Sequence, residues 1–133
     1  MHYRTEEGKT LIVDWYREQD PTLQAVFDTA LNDLASTEDW SELEWFKALT
    51  GRHTGLHEIK IDISGEQVIV GKKPPVVHYR PVGFLREAQR EFVLILGCTK
   101  SGRSSIPPNA FELALELKAE FEQGKGAIHA HSL

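Results

Sequence analysis

The chain has 133 residues, 41% hydrophobic and 26% charged, with one cysteine and a net charge of −5. That length suits one domain with one core; the lone Cys98 excludes an internal disulfide and points to a reducing cytoplasm; the acidic balance argues against a general nucleic-acid binder. The N-terminal MHYRTEEGKT lacks the apolar stretch of a secretory leader, and the longest strongly apolar run, Phe92 to Cys98, is too short to span a bilayer.

Residues 10–17, TLIVDWYR, are rich in β-branched and aromatic side chains and predict a first strand. Asp20-Pro21 supplies an N-cap and a first-turn proline. Leu23, Val26, Phe27, Ala30, Leu31 and Leu34 then recur at helical spacing, which predicts an amphipathic helix. Ser41 and Glu44 form a capping-box pattern, with Trp40, Leu43, Phe46 and Leu49 as the apolar stripe of a second helix. The short STED turn between the two makes a helical hairpin.

TGRHTG, 50–55, reads as a loop. His57, Ile59, Ile61 and Ile63 alternate with Glu58, Lys60, Asp62 and Ser64, which predicts a strand with one buried and one wet face. His57 shares its apolar face and reads as a packed residue. QVIVG is a short strand or hairpin arm, and KKPP breaks the chain before a strand over 76–85. Pro81 cannot donate a ladder hydrogen bond, so that strand is expected to be an edge, bulged, or near its end there. REAQRE turns into FVLILGCT, apolar on both faces and therefore central; Cys98 in it reads as a buried core thiol. KSGRSSIPPN is a loop. Asn109 and Glu112 cap a final helix to about Gln123, with Ala110, Ala114, Leu117 and Phe121 buried, and about 124–133 form a flexible tail. The order of elements implies one α+β domain over 1–133, with an antiparallel sheet and helices on one side.

Charge is segregated. Residues 1–70 carry a balance of −8, residues 71–103 one of +5, and residues 104–133 one of −2. The basic stretch is where a polyanion site would lie on an acidic chain, although solvated loop lysines give the same count. It contains HYRPVGF, in which Arg80 is mid-strand. A planar guanidinium held there could grip a phosphate through paired hydrogen bonds, or pair with Glu58 or Asp62. His78 shares its face, while Tyr79 points the other way. Lys100 and Arg103 lie in the loop after the apolar strand. Lys60 is on the wet face of its own strand. Metal-free RNA cleavage needs such parts: a base for the 2′-OH, an acid for the leaving oxygen, and cations for the phosphate. No histidine spacing suits a metal, no glycine-rich loop cradles a phosphate, and no serine sits at a strand-to-helix elbow, so no cofactor is expected.

LTGRHTGLHEIKI, HYRPVGF and EFVLILGCTKSGRSSIPPNAFELA, in that order, resemble the RelE/HigB-like toxins of bacterial type II toxin–antitoxin systems, in particular the phage-derived HigB branch. The resemblance runs from about Leu49 to Gln123. It implies a RelE-like fold: an N-terminal strand and helical hairpin, an antiparallel sheet and a C-terminal helix. It also implies a metal-independent mRNA endonuclease that inhibits translation, free or on the ribosome. Its partners would be mRNA and a cognate antitoxin, often a helix-turn-helix protein, with no membrane involved. Arg80 matches the strand arginine that contacts the scissile phosphate, Lys60 one of a pair of strand lysines, and Lys100 the first basic residue of the following loop. Where a second basic residue is usual this chain has Ser101, with Arg103 nearby as a substitute. The final helix and tail lack the tyrosine common in RelE-type enzymes, and His129 or His131 would take the role of a C-terminal histidine. His78, Lys72 and Lys73 would contact RNA. The connection SGEQVIVGKKPPVV is longer than usual for the family. The alternative function is a non-catalytic protein on the same fold, ParE-like or an inactive relative; an unrelated small α+β domain is a third.

Overall fold

A computed structural model describes residues 1–64, 76–101 and 104–129 as a mixed α+β fold. Strand β1 (His2–Arg4) is followed by helix α1 (Leu11–Arg17) where the sequence predicted a strand. The local β preference loses to packing: Ile12, Val13 and Trp15 are all buried, a set no two-residue alternation provides. Ile12, Trp15 and Tyr16 stand at i, i+3 and i+4, and Trp15 meets Phe27 edge-on at 5.9 Å.

Helix α2 (Pro21–Ser36) begins as predicted, with the Asp20 carboxylate accepting from the Leu23 N–H at 2.8 Å. The second helix of the predicted hairpin does not form. A single 3₁₀ turn, Trp40–Glu42, leads into strand β2 (Phe46–Ala48). The Asp39 side chain caps that turn, and the Trp40 indole N–H donates to the Leu34 carbonyl at 2.7 Å. The three-residue spacing of Trp40, Leu43 and Phe46 therefore belongs to a tight turn rather than to a helix.

After a further 3₁₀ turn (Gly51–His53), β3 (His57–Ile59) and β4 (Ile61–Ser64) divide the one strand predicted over 57–64. Both pair with β5 (Val76–Arg86), which continues through a turn into β6 (Glu91–Ser101). The register on either side of the break places Ile59 opposite Pro81. Proline has no N–H to offer the Ile59 carbonyl, while on the other side the Lys60 N–H donates to the Trp45 carbonyl at 2.7 Å. Beside Pro81 the β5–β6 register shifts, with Val82 opposite Leu96 and Gly83 opposite Leu94, so the extra residue, Ile95, belongs to β6, and β5 is a central strand rather than an edge. β6 runs past the predicted loop start and pairs with β7 (Ser104–Ile106) as a hairpin. The predicted arm QVIVG lies outside the described residues.

Helix α3 (Ala110–Glu122) lacks the predicted cap: Asn109 is left-handed, with φ 56°, and its side chain makes no capping bond. The chain then returns as β8 (Ala127–His129), antiparallel to β1, where a tail was expected. Gly126, at φ 67°, makes this possible, since a Cβ there would lie 2.2 Å from the Tyr3 hydroxyl. The sheet order is β2-β3-β5-β6-β1-β8, with β4 beside β5 and β7 beside β6; β1 is parallel to β6 and the other pairs are antiparallel.

Helices cover both faces, not one. Phe92 and Leu94 of β6 pack with α1 and α2, while Val93 and Ile95 pack with α3. Gly97 lets Trp15 lie directly on the strand, since a Cβ there would sit 2.0 Å from the Trp15 ring. Cys98 is fully buried on the α3 side. No helix among the described residues is long and apolar enough to cross a membrane.

Candidate functional site

On the α3 side, beyond the first turn of that helix, one sheet face carries a cluster of charges. Along β5, residues 78, 80, 82 and 84 share this face by alternation, and Val82 and Phe84 already pack in the α3 core. Cross-strand register sets Asp62 beside His78, His78 beside Lys100, Arg80 beside Cys98, and Glu58 beside Val82.

Arg80 is held on several sides. Its Nη1 donates to the carbonyls of Tyr79 at 3.0 Å and Ile61 at 3.2 Å, and its Nη2 lies 2.8 Å from Asp62 Oδ1. Its side chain is only 12% exposed. His78 Nδ1 lies 2.7 Å from the same Asp62 oxygen and 3.4 Å from Arg80 Nη2. Nδ1 cannot both donate to Asp62 and accept from Arg80, and the shorter contact identifies it as the donor. The bond to His78 first, and the Arg80 guanidinium second, hold the Asp62 carboxyl below its usual range.

Lys100 extends its Nζ to 4.5 Å from the Phe111 ring centroid. The other edge of Phe111 meets His53 at 5.1 Å, and His53 Nε2 lies 3.0 Å from Glu112 Oε1. Those contacts tie the 51–53 turn to the start of α3, and beside Phe111 lies a small cavity of about 160 Å³ lined by Cys98, Lys100 and Asn109 among others.

Glu58 departs from expectation. The alternating pattern assigned it to a wet face, yet it is 7% exposed. No described residue makes a hydrogen bond or ion pair with its carboxylate. Burial pushes its carboxyl up from the usual range, against the pull of Arg80, Lys60 and Lys100, and Asp62 adds to the rise. Period-two patterning could not distinguish it from the exposed Lys60 and Asp62. At this end of the face the buried Leu56 packs with Val82 and with Ala110 and Ala114 of α3. His53 and Phe111 are likewise positioned by tertiary packing, with no local signal.

The structure thus gathers His78, Arg80 and Lys100, with Lys60 at the nearby β3–β4 junction. It does not bring His129 to them: His129 pairs with His2, at the level of Leu94 and two strands beyond β6, with ring centroids 5.9 Å apart. Lys72, Lys73, Arg103 and His131 lie outside the described residues. His57 is stacked on Phe46 at 5.1 Å, with its Nδ1 buried and unpartnered, and burial lowers its pKa. Among the described residues no three His, Cys, Asp or Glu side chains gather as a metal site requires. A larger cavity, about 620 Å³, lies elsewhere, between α2 and the start of β6, and its lining, which includes Leu31, Leu34, Trp40 and Phe92, is mostly apolar.

The chemistry available at the charged face is anion binding by Arg80 and Lys100, beside a carboxyl whose burial favours its protonated form. No family model matches the chain, and no curated protein or solved structure matches it significantly.

Proposed function

We propose that this chain is the toxin of a type II toxin–antitoxin pair, a RelE/HigB-like endonuclease that cleaves mRNA without a metal and so stops translation in the cytoplasm. The observation that carries the reading is the buried Glu58 carboxyl on the same sheet face as Arg80 and Lys100. The placement of α1 and α2 ahead of β2–β6 also fits the RelE-like order. In the proposed reaction Glu58 takes the proton of a ribose 2′-OH. The freed oxygen attacks the adjacent phosphorus, and the bond from phosphorus to the 5′-oxygen of the next nucleotide breaks. That oxygen is protonated, with protonated His78 as donor through Nε2, since Nδ1 is committed to Asp62. Arg80 and Lys100 balance the charge that grows on the phosphate. A base whose pKa is raised toward the working pH accepts the proton with a larger driving force.

A second reading is favoured by the Arg80–Asp62 pair, which already neutralises the guanidinium. In it the chain is a non-catalytic protein on the same fold, ParE-like or an inactive relative.

Expression in a bacterial host separates the two. The endonuclease reading expects growth arrest, cleaved mRNA on translating ribosomes, relief by Arg80→Ala, and neutralisation by the antitoxin, a helix-turn-helix protein encoded beside it. Arrest with intact mRNA supports the second reading. Normal growth with intact mRNA sinks both.

A further inference from the structure

Asp62 stands where an anionic ligand of Arg80 would stand. Its Oδ1 lies 2.8 Å from Nη2, about the separation a bound phosphate oxygen would take, and its side chain is 49% exposed, free on the solvent side to turn away. An anion approaching Arg80 therefore meets a carboxylate tethered at high effective concentration. A small isolated anion has one attraction to set against that competitor. A phosphate within a longer polyanion has more, because Lys100 lies across the strand from His78 on the same face, roughly 5–8 Å from the Arg80 position.

We propose that Asp62 is the specificity-determining residue of this face: it excludes isolated small anions from Arg80 and admits polyanions, single-stranded RNA above all, that engage Arg80 and Lys100 together. Binding exchanges the Arg80–Asp62 contact for an Arg80–phosphate contact, with His78 left holding the Asp62 carboxylate. The inference rests on reading the face as a phosphate site, but not on its cleaving RNA.

The test titrates the wild type and Asp62→Asn with sodium phosphate and with a 2′-O-methyl RNA oligomer, which binds but cannot be cleaved at its ribose. Asparagine keeps an acceptor for His78 and Arg80 and removes the charge. Phosphate should bind the variant about tenfold tighter, the worth of one charge-assisted hydrogen bond, and RNA should gain less. The gain should vanish in the Arg80→Ala, Asp62→Asn double variant and be absent in Asp14→Asn, which changes net charge equally on α1. Unchanged or weaker phosphate binding by a folded Asp62→Asn overturns the proposal, as does an equal gain in Asp14→Asn. If Asp62→Asn unfolds, Asp62→Ser repeats the test, and unfolding of both makes Asp62 a structural residue and overturns it too. A phosphate gain with no cleavage of ordinary mRNA leaves this inference standing and sinks the endonuclease. Cleavage by the wild type with no phosphate gain in the variant does the reverse.

Discussion

Glu58→Gln should make the protein more stable at neutral pH while abolishing the proposed RNA cleavage. The carboxyl is 7% exposed, and burial is the largest influence on its pKa, which lies above the ordinary glutamate value. The fold therefore favours the protonated form. Stability from that preference is fully present below the unfolded glutamate pKa of about 4.3 and is lost as pH rises through the higher folded value. As pH rises through the folded value the wild type takes on a desolvated charge that glutamine, close in shape to the protonated acid, does not. Leaving a polar group desolvated costs roughly 1–3 kcal/mol, and Arg80, Lys60 and Lys100 offset part of it. A net gain of about 1 kcal/mol at pH 7 corresponds to about 3–5 °C in Tm for a chain of this length. Thermal melts of both proteins from pH 4 to 8 should diverge with rising pH and coincide near pH 4. A glutamine variant less stable than the wild type at pH 7.5 would refute the reasoning, because the carboxylate would then be a stabilising member of the charge cluster. Higher stability with lost growth arrest would be the usual exchange at a site built for chemistry.

Two changes outside the charged cluster test the packing of the sheet that carries it. Gly97→Ala drives a methyl into the Trp15 ring, 2.0 Å from Cδ2, and should cost about 2–3 kcal/mol by urea denaturation, with Trp15→Leu recovering part of the loss in a double-mutant cycle. Tyr3→Phe removes a 2.6 Å hydrogen bond to Glu120 and should cost about 1–2 kcal/mol, while burial, the largest influence, keeps the wild-type hydroxyl neutral into strong alkali, visible as a missing tyrosinate absorbance step.

What the sequence discloses depends on whether local and tertiary preferences agree. In α2 they do: Asp20, Pro21 and the apolar spacing all specify one helix start and one buried stripe. In residues 11–17 they conflict, because β-branched side chains favour a strand and the need to bury Ile12, Val13 and Trp15 against Gly97 and Phe27 favours a helix. Ala127–His129 look like a polar tail until Gly126 brings them under Tyr3 and supplies β1 with a partner. At the charged face, the shared side of His78 and Arg80 was legible from strand alternation, whereas Lys100, expected in a loop, reaches them because β6 continues to Ser101 and pairs it with His78. The burial of Glu58 was not legible, because nothing in the alternation over 57–64 distinguishes it from the exposed Lys60 and Asp62.

Pro81 links the fold to the site. Without an N–H it interrupts the neighbouring strand, and the interruption falls between Glu58 and Asp62. The two carboxylates, in phase along one edge, then meet different surroundings: Glu58 is enclosed beside Val82, and Asp62 stays half exposed beside His78. Their carboxyl pKa values accordingly move in opposite directions, one raised by burial and the other lowered chiefly by His78 and then by Arg80. Titratable groups pushed apart in this way are suited to different roles. In the proposed reaction the raised carboxyl moves the proton, and the lowered one stays charged and governs access to Arg80. Pro81 lies opposite Ile59, between the two acids, so the break in the ladder and the change of surroundings fall on the same short stretch of the face.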